Sequence, residues 1–251
     1  MKTIDARHYL IEASLDQRKV AHKNEYPFNL PFIRNFKSLE FHPHVTFIVG
    51  ENGSGKSTLL ESLAIGMGFN PEGGSRNFHF ATTETHANLH EYLKLVKGIK
   101  RPRDGYFLRA ESFYNVASEI EKLDAIPSWD ALITPTYGGK SLHEQSHGES
   151  FIALMENRFR GNGLYILDEP EAALSPSRQF KLLALLHKHV GNGAQFIIAT
   201  HSPIIMGYPD SIIYLVDENG LKQVNYEDTE HYQLTKYYLD HRQKVLNELF
   251  E

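Results

Sequence analysis

Cysteine is absent from the sequence. That excludes disulfides, thiolate metal sites and cysteine nucleophiles. Long apolar runs are absent as well. SIIYLV at 211–216 is among the longest, far short of the roughly 20 residues a membrane helix needs. The opening MKTIDARHYLIEAS lacks an apolar stretch of signal-peptide type. Positive charge is not in excess. Lys and Arg total 26 against 31 Asp and Glu, a net −5, so no overall basic footprint for nucleic acid exists. There is no internal repeat, no low-complexity tract and no heptad run for a coiled-coil arm. These absences lead us to expect a cytoplasmic protein with no direct membrane insertion. What is present is a chain of 251 residues, 41% of them hydrophobic, which suits one large α/β domain with a sizeable core.

Periodicity places the elements. YPFNLPFIRNF, SLEF and HVTFIVG, within 26–49, read as strands, the last a buried parallel one ending in glycine. GENGSGKST follows, and then Leu59, Leu60, Leu63 and Met67 at helical spacing. Residues 70–112 read as an irregular β insertion, with LHEYLKLVKGIKRPRDGYFLRA as a hairpin turning at RPRDG. A helical stretch over 113–130 and a loop over 133–146 come next. A helix to about Phe159 carries Phe151, Leu154, Met155 and Phe159 on one face. GLYILDEP is a buried strand. Ser175 and Pro176 have the pattern of an N-cap and first helical residue, opening a helix through about Val190. AQFIIATHS and SIIYLVDENG are further strands, and 229–251 is a helical tail. The expected fold is α/β with a mixed, mostly parallel sheet. Its core would span about 1–69 and 160–251, interrupted by an inserted β and helical lobe over about 70–160.

Gly50-Glu51-Asn52-Gly53-Ser54-Gly55-Lys56-Ser57 fits G-x-x-x-x-G-K-[ST] between a strand and a helix. Glycines let backbone N–H groups wrap a phosphate. The helix starting near Lys56 aims its positive end at the anion. Lys56 offers a point charge and Ser57 a hydroxyl for magnesium. The run Glu51 to Thr58 is therefore the expected binding segment for a nucleoside triphosphate, with Mg2+ as its companion ion.

LYILDEPEAAL ends an apolar strand on Asp168-Glu169. In open α/β sheets ligands sit at the carboxyl ends of strands. Asp168 would hold magnesium opposite Ser57, and Glu169 would polarise a water for attack on the γ-phosphate. Glu171 reads as a surface or interface carboxylate. FIIATHSP ends a third strand at the same edge, where His201 could hydrogen-bond the γ-phosphate or the attacking water. No N-K-x-D guanine motif occurs.

His143-Glu144-Gln145-Ser146-His147 fits the H-E-x-x-H pattern of zinc proteases. A helix that begins near Ser146 leaves His143 in the preceding loop, off the face His147 would share. No third ligand stands at a protease-like spacing, so zinc catalysis is set aside. Lys94, Lys97, Lys100, Arg101, Arg103 and Arg109, interleaved with Tyr92, Tyr106 and Phe107, are the residues that could contact a nucleic-acid backbone. A solvated hairpin is the blander reading, and Arg109 could serve the nucleotide instead.

Gly50–Ser57, LYILDEP, ALSP and ATHS, in this order, resemble the ABC-type ATPases, which are P-loop NTPases. FLRAESF and DEPEAALSP resemble, within them, the stand-alone AAA-labelled ATPases related to SMC and OLD-type heads. The segment between Ser57 and Asp168 is too short for SMC arms. The resemblance implies an ATP hydrolase that forms head-to-tail dimers around two ATP molecules. Each ATP would lie between one chain's phosphate loop and the other's serine-glycine signature. SHGES stands where that signature falls, with Ser146, Gly148 and Glu149 as its binding residues and His147 in place of the first glycine. Glu111 would occupy the place of the magnesium-contacting glutamine of transporter members. Tyr26 has the spacing of the aromatic that stacks on adenine, with Phe32, Arg34 and Phe36 as competitors. The implied role is a switch acting on a partner protein or a nucleic-acid-related process such as repair or defence. The alternative is the ATP-binding subunit of a transporter.

Overall fold

The computed structural model describes residues 8–20, 24–75, 88–110 and 146–251, with 118, 121, 122, 124 and 139 between them. Its centre is a six-stranded sheet in the order β5-β6-β7-β3-β8-β9. The strands are β3 (Val45–Gly50), β5 (Asp104–Arg109), β6 (Gly163–Asp168), β7 (Gln195–Ala199), β8 (Ser211–Asp217) and β9 (Gly220–Val224). Every pairing is parallel except β8 with β9. Every residue of β3, β6 and β7 is buried, as expected of strands covered on both faces. A second, antiparallel sheet joins β1 (Leu10–Leu15), β2 (Ser38–Glu40) and β4 (Leu93–Lys97) in the order β2-β1-β4.

Helices cover the two faces of the central sheet. On one side α2 (Lys56–Gly66) sets Leu59, Leu60 and Leu63 into a core shared with the antiparallel sheet and with Phe32, Ile33 and Phe36. On the other, α3 (His147–Asn157), α4 (Pro176–Gly191) and α5 (Pro203–Met206) surround a core containing Tyr106, Phe151, Leu154, Leu182 and Phe196. α6 (Glu230–Asp240) and α7 (Arg242–Phe250) finish the chain with no buried residue in either. No helix among the described residues is long and apolar enough to cross a membrane.

Two expectations need correction. YPFNLPFIRNF is not a strand, because it contains α1 (Pro31–Asn35). Pro31 lacks an N–H and has a fixed φ, which suits the first helical position, and Phe32 and Ile33 then turn inward. The segment 93–109 is not a hairpin, because β4 pairs with β1 and β5 with β6. The burial explains the split. β4 is partly exposed along its length, whereas Gly105 to Leu108 are all buried and need a sheet with two covered faces. β5 therefore belongs to the central sheet and not to an inserted lobe. The tail is helical as expected, in two helices broken at His241. The expected helix over 113–130 and the loop before Ser146 lie almost wholly outside the described residues.

The helix expected to run to about Phe159 is α3, which ends at Asn157; Phe151, Leu154 and Met155 on it, and Phe159 just past its end, are all buried. Ser175 does precede α4, with Pro176 as its first residue.

Candidate functional site

β3, β6 and β7 run parallel, so their carboxyl ends share one edge of the sheet. Gly50, Asp168 and Thr200-His201 meet there because each ends a buried strand or follows it directly. The loop after β3 turns through Gly55, whose φ is +95°. A Cβ at Gly55 would lie 2.5 Å from the ring of Phe32. Glycine is therefore required both by the left-handed backbone and by the packing beneath it. α2 begins at the next residue with no side chain capping it, so its first N–H groups face the loop.

Lys56 is buried, and its Nζ donates to the carbonyls of Gly50 at 2.9 Å and Glu51 at 2.7 Å. Burial lowers its pKa, while the carboxylates of Glu169, Asp168 and Glu171 pull the other way. Ser57 Oγ donates to Asp168 Oδ1 at 3.1 Å. Arg109, at the end of β5, pairs with Glu61 at 2.8 Å and places its Nε 3.9 Å from Asp168 Oδ2. Ser57, Arg109, His147, Asp168 and Glu169 line a common cavity of about 210 Å³. Glu51 to Ser54 line a second one of about 580 Å³, together with Phe32, Glu218 and His231.

Glu169 takes a left-handed conformation, with φ 50° and ψ 53°, a strained state for a residue with a side chain. Its N–H donates to Ala199 O at 3.0 Å, and its carboxylate lies 3.5 Å from His201 Nε2. Glu171 corrects the sequence reading, because it is no free surface carboxylate. The 3-10 turn Pro170–Ala173 folds it back, and it accepts the backbone N–H of His201 and the Thr200 hydroxyl, the latter at 2.8 Å. Burial raises its pKa in spite of those donors. Burial, with Lys56 nearby, also lowers the pKa of His201, which favours its neutral ring.

Ser146 is the N-cap of α3 and His147 its first residue. Ser146 and Glu149 form a reciprocal capping box. Arg178 holds both, at 3.3 Å from Ser146 Oγ and 3.1 Å from Glu149 Oε1. A Cβ on Gly148 would lie 2.6 Å from Ala173 O, so that glycine lets the helix start lie against the Pro170–Ala173 turn. His143, Glu144 and Gln145 lie outside the described residues, and so does Glu111.

Of the adenine candidates, Phe32 and Phe36 are buried. Tyr26 is 59% exposed, and its hydroxyl lies 2.9 Å from Thr58 Oγ1, beside the start of α2. The basic segment is dispersed. Lys94 pairs with Asp16 at 3.1 Å, Lys97 donates to Gly66 O, and Arg109 is in the site. Tyr106 and Phe107 are fully buried and present no ring to a base. Lys100, Arg101 and Arg103 stay on the far edge of the sheet from the phosphate loop, where Arg103 lines a cavity with Arg158 and Arg160. One residue at the site escaped the sequence reading: His231, from α6, lies 3.0 Å from His201. Arg109 is in the site, the second of its two readings. Nothing local in the sequence marks His231.

The donor set suits a triphosphate and a divalent cation. Ser54 Oγ and His201 Nε2 are buried and have no hydrogen-bond partner among the described residues. The Ser57 hydroxyl and the Asp168 carboxylate are hard oxygen ligands of the kind Mg2+ prefers.

Comparison with known proteins agrees. Residues 28–124 match an "AAA domain" family. Residues 144–207 match "AAA domain, putative AbiEii toxin, Type IV TA system". The cytochrome c biogenesis ATP-binding export protein CcmA of Aliivibrio fischeri is 26% identical over 185 residues, covering 70% of this chain and 83% of that protein. The energy-coupling factor transporter ATP-binding protein EcfA of Carboxydothermus hydrogenoformans is 28% identical, covering 62% of this chain and 60% of that protein. Among solved structures, "An inward-facing conformation of a putative metal-chelate type ABC transporter" aligns with a TM-score of 0.51. It has 14% identity and covers 92% of this chain and 89% of that one. The chain is thus similar to P-loop ATPases of the ABC type over most of its length.

Proposed function

We propose that the chain is a Mg2+-dependent ATPase that pairs head to tail with a second copy around ATP, and that this closure switches a partner. The observation that carries the reading is the meeting of Lys56, Ser57, Asp168, Glu169 and His201 at one sheet edge.

Each residue then has a task. Backbone N–H groups from Glu51 to Thr58, with the free start of α2, receive the phosphates. Lys56 exchanges its two carbonyl partners for phosphate oxygens. Tyr26, exposed beside Thr58, stacks on adenine. Ser57 and Asp168 hold Mg2+, with Glu111 as the further ligand implied by resemblance. That ion, when bound, offsets phosphate charge. Glu169 polarises the attacking water, and His201 Nε2–H donates to the γ-phosphate. The second copy supplies Ser146, Gly148 and Glu149 at the start of its α3, where the helix dipole favours an anion. The functional unit is the whole chain as one ABC-type domain, and its work is cytoplasmic, where its substrate is.

The partner is a protein or a nucleic-acid-related process of repair or defence. The family match over residues 144–207 supports a stand-alone enzyme of the second kind. One alternative has its own support. The similarity to CcmA and EcfA favours an ATP-binding subunit of a transporter. Phosphate release by the purified chain, with and without Mg2+, tests the chemistry. We expect Mg2+-dependent turnover lost in Glu169→Gln with ATP binding kept. Turnover unaffected by Glu169→Gln would overturn the assignment. Copurification with membranes would favour the transporter reading.

A further inference from the structure

One titratable side chain touches the site without a part in the reaction as described. His231 is the second residue of α6, and its Nε2 lies 3.0 Å from His201 Nδ1. The rings stand 5.1 Å apart at 56°, so a hydrogen bond joins them and not a stack. On its other side His201 points Nε2 at Glu169 Oε1, 3.5 Å away. α6 is fixed just before this contact. The Thr229 hydroxyl donates to Tyr226 O at 2.7 Å, and the Tyr226 hydroxyl to Pro203 O at 2.8 Å. His231 is thereby tied to the segment that carries His201.

A neutral imidazole has one N–H and one lone pair. If His201 donated from Nδ1 to His231, its Nε2 would be a bare acceptor facing the Glu169 carboxylate and the phosphate. That arrangement is repulsive. We propose that His231 is a positioning residue, donating from Nε2 to His201 Nδ1 and so holding His201 in the Nε2–H tautomer that hydrolysis needs. Burial lowers the pKa of both rings. Lys56 adds to this at His201, and His201 itself does so at His231. Glu169 at His201, and Glu230 and Glu171 at His231, oppose it. A neutral pair is the state in which one ring can fix the tautomer of the other. This proposal rests on the reading that His201 serves the γ-phosphate.

The test compares wild type with His231→Leu, which has no donor, and His231→Gln, which carries an amide N–H near the position of Nε2. Two-bond 1H–15N spectra report the His201 tautomer, and ATP turnover and binding are measured on the same samples. We expect Nε2–H in wild type and in His231→Gln, and a mixture in His231→Leu. In His231→Leu kcat should fall on the order of 10-fold to 100-fold, with the Kd for ATP moving less than about 3-fold. A His231→Leu protein that keeps the tautomer, or that loses it without a fall in kcat, overturns the proposal. His201→Ala with wild-type kcat would instead overturn the functional reading, and the spectra would still judge His231.

Discussion

Glu171 offers a quantitative test of how the site is held. One of its carboxylate oxygens accepts the His201 N–H and the other the Thr200 hydroxyl. Glu171→Ala strands both donors. Each buried orphan costs about 1–3 kcal/mol, so the loss is about 2–6 kcal/mol before the relief of a desolvated carboxylate is subtracted. Glu171→Gln keeps an oxygen for His201, but its amide N–H meets Thr200 Oγ1. That oxygen already accepts from Ser202 N at 3.0 Å. Only the Thr200 proton is stranded, so the cost is about 1–3 kcal/mol. The order of stability is therefore wild type, then Gln, then Ala. The pH dependence has a definite sign. Burial raises the folded pKa of Glu171 above its unfolded value of about 4.3. Its contribution is complete below the unfolded value and is lost as pH rises through the folded value. The gap between wild type and Glu171→Gln should narrow as pH rises from the unfolded value through the folded one. Urea unfolding followed by circular dichroism measures it. Equal stability of Glu171→Ala and wild type, or a gap that widens with pH, would refute the reasoning.

Other expectations follow from the same contacts. Lys56→Ala should weaken ATP binding by roughly 10-fold to 100-fold in calorimetry, the worth of one charge-assisted contact. Gly148→Ala places a methyl 2.6 Å from Ala173 O; the overpacking should cost about 1–3 kcal/mol in urea unfolding and displace the start of α3. Asp104 accepts from Arg158 at 2.7 Å, the Tyr165 hydroxyl at 2.8 Å and Arg160 N at 3.1 Å. Burial raises its pKa, but Arg158 and these hydrogen bonds outweigh burial and leave it lowered. Asp104→Asn should cost about 3–5 kcal/mol at neutral pH. That deficit should fade as pH falls below about 3.9 and through the folded pKa.

The strand, glycine loop and helix around Gly50 to Leu63 were readable because burial on both faces writes β3 as an unbroken apolar run. The runs before Asp168 and His201 are of the same kind, and parallel pairing then brings the three ends together. β5 was misread because its neighbour β4 and the RPRDG turn make a plausible hairpin locally. Only the sheet, through Asp104↔Gly163 to Arg109↔Asp168, reveals the partner. Glu171 could not be placed without the left-handed turn at Glu169, which reverses the chain beneath His201. His231 comes from a helix with no buried residue, so periodicity gives it no distinction.

The central claim is that ATP joins two copies through SHGES. Its most direct test is the solution mass of Glu169→Gln by light scattering, with and without Mg2+ and ATP. The account predicts a monomer that becomes a dimer only when both are present. A protein that binds ATP and remains a monomer would contradict it.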